Sequence, residues 1–212
     1  MKGKFITFEG MEGSGKSTHA RLLVSRLIAE GRDAFLTREP GGTKTGEHIR
    51  RMLKTGAGGE PPCAESEILL FAASRAQLVR QVILPALKSG TVVVSDRFAD
   101  STTVYQGYAR GLNMRSVLEI NSFVVGPAVP DLTILLDVDV KTGLRRLEAR
   151  NRRLGVCRDR IEREGVAFHR KVRAGYLKLA KDHPDRVKVV NASLGADAVK
   201  ELVWRLVCNV IR

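Results

Sequence analysis

Residues Gly10-Met11-Glu12-Gly13-Ser14-Gly15-Lys16-Ser17 fit the spacing G-x-x-x-x-G-K-[ST] in full. Glycines so placed let successive backbone N–H groups turn inward around an anion. A helix starting beyond them adds the positive end of its dipole. Lys16 would then reach the β- and γ-phosphates of a nucleotide, and the Ser17 hydroxyl would ligate Mg²⁺. The chemistry indicated is ATP or GTP binding by Gly10 through Thr18. A second anchor is the apolar run Thr91-Val92-Val93-Val94-Ser95, which ends in Asp96-Arg97. A carboxylate at the end of such a strand helps hold Mg²⁺, and an arginine beside it can grip a second phosphate through its planar fork. The run Leu132–Asp137 also ends in Asp and is the competing Mg²⁺ candidate, ranked lower because no cation adjoins it in sequence.

Two further groupings could carry chemistry. Between Lys141 and Arg163 there are nine basic residues, mostly Arg, opposed only by Glu148, Asp159 and Glu162. Arg stays charged when desolvated and binds phosphate oxygens in pairs. The centre, Arg150 to Asp159, reads as a loop between two helices that could close over bound phosphates. A solvated basic surface or a nucleic-acid patch is the alternative, although no aromatic residue is interleaved to stack on bases. Phe71 and Arg75 are spaced i,i+4 and share a helix face, where a ring and a guanidinium could stack on a base and bond its edge. The alternative places Phe71 in the core with Arg75 at its rim. Past Arg97, Ser101, Thr102, Tyr105 and Gln106 supply hydrogen-bonding side chains that could read a base or sugar, or cap a helix.

The elements that must position these residues alternate along the chain. Strands are expected at Lys4–Phe8, Asp33–Thr37, Thr91–Ser95, Leu132–Leu136 and Arg186–Val190. Helices are expected at Lys16–Glu30, Ala64–Lys88, Val140–Arg150, Arg160–Lys181 and Ala196–Ile211. Such alternation predicts an α/β fold with a parallel sheet covered on both faces, and ligands beyond the C-terminal strand ends. With 212 residues, one domain is the default. The net charge of +13 asks for an anionic partner: nucleic acid, membrane or a phosphorylated small molecule. Three separated cysteines give neither a zinc pattern nor a disulfide framework. No signal-peptide core or spanning segment is read, so a cytoplasmic protein is expected.

Taken in order, the motifs resemble one family closely, the thymidylate kinases (dTMP kinases). They are Phe8-Glu9-Gly10-Met11-Glu12-Gly13-Ser14-Gly15-Lys16-Ser17-Thr18, Thr37-Arg38-Glu39-Pro40-Gly41-Gly42-Thr43, Leu70-Phe71-Ala72-Ala73-Ser74-Arg75-Ala76-Gln77, Asp96-Arg97-Phe98-Ala99-Asp100-Ser101, Tyr105-Gln106-Gly107 and Asp159-Arg160-Ile161-Glu162. The resemblance implies a three-layer P-loop NTPase fold with a five-stranded parallel sheet, usually in a homodimer, that transfers phosphate from ATP to dTMP with Mg²⁺. It implies that Glu12 contacts the sugar 3′-hydroxyl, Phe71 stacks on thymine, Arg75 bonds its exocyclic oxygen and Thr102 its ring N–H. Tyr105 would crowd the 2′ position. Arg97 would hold the acceptor phosphate, with Arg38 and Arg50 as weaker candidates, and Asp96 would act through Mg²⁺. Pro40 would sit in a cis turn.

Family members carry a catalytic arginine either in the P-loop or in the lid. Gly13 at the P-loop position makes this chain similar to the lid type. The lid, at about 148–160, is slightly longer than the usual pattern, which leaves Arg153 and Arg158 as candidates with Arg150 a third. The rival readings are a P-loop kinase for another nucleotide or deoxynucleoside, and a P-loop ATPase bound to nucleic acid. The expected partners are ATP and dTMP, without nucleic acid or membrane. No catalytic role is expected for His19, His48, His169 or His183.

Overall fold

A computed structural model describes residues 3–55 and 60–211. Strands β1 (Phe5–Glu9), β2 (Ala34–Arg38), β3 (Val92–Asp96), β4 (Leu132–Asp137) and β5 (Val187–Asn191) form one parallel sheet in the order β2-β3-β1-β4-β5. The helices are α1 (Lys16–Ala29), α2 (Lys44–Thr55), α3 (Ala64–Leu78), α4 (Leu84–Lys88), α5 (Ala99–Thr102), α6 (Met114–Val125), α7 (Val140–Leu154), α8 (Val166–Asp182) and α9 (Ala196–Cys208). The expected three-layer α/β architecture is present.

Both sheet faces are buried, which is why the central strands are nearly all apolar. Side chains alternate along a strand. Phe5 and Val93 therefore join one core with Leu78, Ile83 and Val124, from the α3, α4 and α6 side. Ile6, Phe8, Val92 and Val94 join the other with Leu23, Leu27, Val172 and Val203, from α1, α8 and α9. Each such side chain contributes roughly 1.5–3 kcal/mol by leaving water.

The expected strands lie within a residue or so of the observed ones. Three helical segments escaped the sequence reading: α2, α6, and α5 with its π-helical continuation Thr103–Ala109. The run Ala64–Lys88 is helical throughout but widens into a π turn at Val79–Ile83. Leu84 N–H bonds Val79 O there, and Pro85 follows, whose ring and missing N–H a regular turn would not accommodate. By length and composition this run could cross a bilayer. Here it buries Ile68, Leu78 and Ile83 in the core and pairs Glu67 and Arg75 with opposite charges.

The candidate lid segment, about 148–160, also differs from expectation. Arg150–Leu154, read as loop, continues α7, which ends at Gly155 (φ 63°). Arg160–Glu164, read as helix, is a turn before α8. Asp159 and Glu162 fix that turn reciprocally: Glu162 N–H donates to Asp159 Oδ1 (3.0 Å) and Asp159 N–H to Glu162 Oε2 (3.2 Å).

Candidate active site

The β1–β3 register pairs Phe8 with Asp96, so the loops following both strands open side by side at the C-terminal sheet edge. They floor a cleft of about 790 Å³. One wall carries Glu12, Gly13, Gly15, Lys16, Ser17 and Thr18. The other carries Arg38, Arg50, Phe71, Arg97, Ser101, Thr102, Tyr105 and Gln106. Arg150 and Arg153 of α7 reach it as well.

In the glycine-rich loop, Gly10, Gly13 and Gly15 have φ of 139°, 74° and 96°. These values are open to glycine at little cost. Gly13 also meets a close neighbour: a Cβ there would lie 2.0 Å from the Gly143 carbonyl oxygen of α7. Gly10, Met11 and Ser14 do not line the cleft themselves but shape the turn. Lys16 Nζ donates to Met11 O (2.9 Å) and to Ser14 Oγ (3.4 Å). Burial, with repulsion from Arg97, lowers its pKa to about 8. The Ser17 hydroxyl donates to Asp96 Oδ2 in a very short contact. The rival carboxylate, Asp137, is clamped by Arg173 through two bonds of 2.7 and 2.8 Å. A cation therefore does accompany Asp137, supplied by α8 and invisible in the local sequence.

Arg97 has φ 75°, the one described non-glycine residue with positive φ. That conformation costs about 1–2 kcal/mol. It sends three consecutive side chains three ways: Asp96 to Ser17, Arg97 into the cleft, and Phe98 into the core against Phe5 (centroids 4.8 Å apart). The turn is held by Phe98 N–H donating to Glu9 Oε1 (2.8 Å) and Ser95 Oγ donating to Arg97 O (2.7 Å). The Arg97 guanidinium donates to Glu12 Oε1 (2.8 Å), Tyr105 OH (3.1 Å), Ser101 Oγ (3.1 Å), Gly10 O (3.1 Å) and Tyr176 OH (3.2 Å).

Burial alone would raise the Glu12 pKa. Arg97, His169, Lys16 and Tyr105 outweigh it and hold the carboxyl well below the usual carboxylate range. Glu12 is thus an ionised acceptor whose Oε2 is buried without a hydrogen-bond partner, 3.5 Å from His169 Nδ1. Glu9 behind it goes the other way. Burial and the nearby Asp100 raise its pKa, although it accepts from Ser101 and Tyr176.

Arg75 sits differently from either sequence reading. Phe71 is half-buried and lines the cleft, while Arg75 is 1% exposed and does not. The Arg75 guanidinium donates to Glu39 Oε2 (2.8 Å), Asn121 Oδ1 (2.8 Å), Thr102 Oγ1 (3.0 Å) and Phe98 O (3.3 Å). Burial raises its partner Glu39 to about 7 despite that contact. The Glu39–Pro40 peptide is cis, and Pro40 O accepts from Arg50 Nη1 (2.9 Å). Arg38 pairs with Glu47 (2.9 Å).

In the candidate lid segment, Arg150 pairs with Glu162 (2.6 Å), and Arg153 faces the cleft. Arg158 does not line the cleft and pairs with Glu148 instead. Sequence reasoning assigned nothing to Arg21 and Arg146, which line the cleft, or to Tyr176 and His169, which back Arg97 and Glu12. Arg146 was visible as one of the lid arginines. Tyr176 lies far along α8 and had no local signal.

Residues 8–203 match the family model described as thymidylate kinase. A thymidylate kinase of Nitratidesulfovibrio vulgaris (strain Miyazaki F) is 48% identical over 209 residues, covering 98% of this chain and 97% of its own. One from Pelotomaculum thermopropionicum is 49% identical over 194 residues, covering 91% of this chain and 87% of its own. Among solved structures, thymidylate kinase from Ehrlichia chaffeensis superposes with a TM-score of 0.76 at 32% identity, covering 98% of this chain and 99% of its own.

Proposed function

The chain belongs to the thymidylate kinase family, and on that premise we propose how its cleft divides between the two substrates of ATP-dependent dTMP phosphorylation. The reaction itself, phosphoryl transfer from ATP to dTMP giving dTDP, follows from family membership over nearly the whole chain. The observation that carries the division is the single cleft with a phosphate loop on one wall and Phe71, Arg97 and Tyr105 on the other.

ATP lies on residues 10–18, with Lys16 on the β- and γ-phosphates. Ser17 and Asp96 fit Mg²⁺. They are two hard oxygen donors in contact, and no cluster of three potential ligand side chains exists among the described residues. Mg²⁺ typically takes one or two protein oxygens and fills its shell with water and phosphate. When bound, it neutralises phosphate charge.

dTMP lies opposite. Phe71 stacks on the base, with Thr102 and Gln106 at its edge. Arg75 supports Thr102 from behind and presents its remaining Nη1 hydrogen. Arg97 takes the acceptor phosphate, with Arg38 and Arg50 nearby. That exchange draws Arg97 away from Glu12, whose ionised carboxylate then accepts the 3′-hydroxyl, and Tyr105 walls off the 2′ position. The acceptor oxygen is already ionised, so positioning and charge stabilisation suffice without a strong base. Arg153 is the favoured lid arginine because it faces the cleft, and Arg158 would have to leave Glu148 to take part. The crowding of Gly13 by Gly143 supports the lid-arginine reading.

We place residues 1–212 in one domain with its lid at about 148–160, acting in the cytoplasm as a homodimer. Support for the dimer is the apolar surface on neighbouring helices α3 and α6, where Phe123 is 84% exposed and Leu69 57%. The test is a substrate panel of dTMP, dUMP, UMP, CMP, AMP and thymidine with ATP. Preference for dTMP over UMP and AMP is expected. Preference for a purine monophosphate overturns the Phe71 pocket.

A further inference from the structure

Glu67 stands on α3 one helical turn before Phe71, on the same face. Its carboxylate is 1% exposed, yet it serves three donors. Oε1 accepts from Gln106 Nε2 (2.7 Å) and Arg110 Nε (2.6 Å), and Oε2 accepts from Arg160 Nη2 in a very short contact. Burial opposes ionisation, but Arg110, Arg160 and Gln106 together hold the pKa below the usual carboxylate value. Glu67 is therefore a buried anion.

Its three donors come from different parts of the site. Gln106 lines the acceptor wall of the cleft. Arg110 ends the same helical stretch and also pairs with Glu164 (3.0 Å), the last residue of the lid turn. Arg160 belongs to the lid turn itself, and its Nε also reaches Leu53 O at the end of α2 (3.4 Å). Beside it, Asp159 pairs with Lys54 of α2 (3.6 Å). The turn continues to Glu162, which binds Arg150 Nη2 (2.6 Å) and Asn151 Nδ2 (3.0 Å) on the last turns of α7. Arg153 follows on that helix. A continuous set of contacts thus runs from Glu67 through Arg160 and Glu162 to the helix that carries Arg153.

We infer that Glu67 is a positioning residue, a latch that docks the lid turn onto the acceptor wall and so ties lid placement to the pocket for the nucleoside monophosphate. This rests on the division of the cleft proposed above. The chemistry favours a latch over a simple core ion pair. Glu67 lies 93 residues from Arg160 in sequence, and Arg160 stands in a turn outside any helix or strand. Gln106, which shares the Glu67 carboxylate with the lid, is also a wall of the pocket. Occupancy of the pocket and docking of the lid therefore meet at one carboxylate.

The test uses R160M, which leaves the Gln106–Glu67–Arg110 bonds in place, together with E67Q and the double variant. Peptide-resolved hydrogen exchange of residues 155–164 reports docking, and dTMP kinetics report its consequence. Exchange of that segment should rise about tenfold in both single variants, as expected for loss of one charged hydrogen bond. The rest of the fold should be unchanged in R160M. The turnover number of R160M should fall about tenfold from misplacement of the lid, with KM for dTMP within about twofold. E67Q should also raise KM, through Gln106. The double variant should exchange no faster than the faster single, because both act through one contact. Wild-type exchange in both single variants, or additive effects in the double, overturns the latch. Faster exchange with unchanged turnover leaves the latch standing and overturns the catalytic reading of the lid.

Discussion

Removing the Arg97 side chain strands Glu12. The pair is 2.8 Å apart, with only 19% and 9% of the two side chains exposed. Removing one partner of a buried pair costs about 3–5 kcal/mol, because the remaining charge is left in a poor dielectric without its counter-ion. R97M keeps much of the volume and isolates this effect. For a chain of this size each kcal/mol lowers the melting temperature by about 2–4 °C, so R97M should melt about 10 °C lower at pH 7. The double variant E12Q/R97M buries no unpaired charge and should return to within about 2 kcal/mol of wild type. Acid adds a check of sign. Glu12 has its pKa depressed on folding from an ordinary 4.5. Its contribution is present in full above that value and is lost as pH falls below it. R97M should therefore lose less stability on acidification than wild type. Denaturant unfolding between pH 3 and pH 7 (roughly the span around the unfolded carboxylate) measures all three variants. A wild-type melting temperature for R97M, or a double variant that loses the sum of the singles, refutes the reasoning. In kinetics R97M should chiefly weaken dTMP use, and unchanged dTMP parameters would refute the acceptor-phosphate assignment.

The other predictions concern the phosphate loop. Lys16 titrates near 8 in the free protein, so ATP affinity should weaken as pH climbs through that value, by up to about tenfold per pH unit. The ligand-free fold binds fewer protons than the unfolded chain between about 8 and 10.5, so its stability should rise over that window. K16M should abolish transfer and flatten both profiles, measured by calorimetric titration and unfolding. G13A places a Cβ 2.0 Å from Gly143 O at φ 74°. Strain and overpacking together should cost about 2 kcal/mol or more and weaken ATP binding. Wild-type melting and ATP affinity in G13A would contradict the close approach of α7 to this loop.

Much of the protein was legible from the chain alone, for local reasons. The residues from Gly10 to Ser17 act mostly through their own backbone and the helix they open, so spacing suffices to read them. The alternation of apolar runs with helical patterns foretold the parallel sheet, because a strand buried on both faces is built mostly of apolar residues. The i,i+4 spacing of Phe71 and Arg75 left a cleft position and a core position equally open for Phe71, and the fold puts it on the cleft. Extending the same face back one turn would have reached Glu67, whose partners nevertheless lie at positions 106, 110 and 160.

Partnerships across elements decided the rest. Asp96 and Asp137 end similar strands. The register beside β1 brings Asp96 to Ser17, whereas α8 delivers Arg173 to Asp137. Arg75 looked able to reach a base, yet Glu39, Asn121, Thr102 and Phe98 absorb nearly all its donors. Arg153 and Arg158 are alike in sequence, and only the end of α7 at Leu154 separates them, with Arg153 on the helix at the cleft and Arg158 beyond it against Glu148. Sequence fixes which groups can bind phosphate, because that chemistry belongs to residue types and short spacings. Which of them are free to do so depends on burial and on counter-charges brought from distant positions, and the tertiary fold alone supplies those.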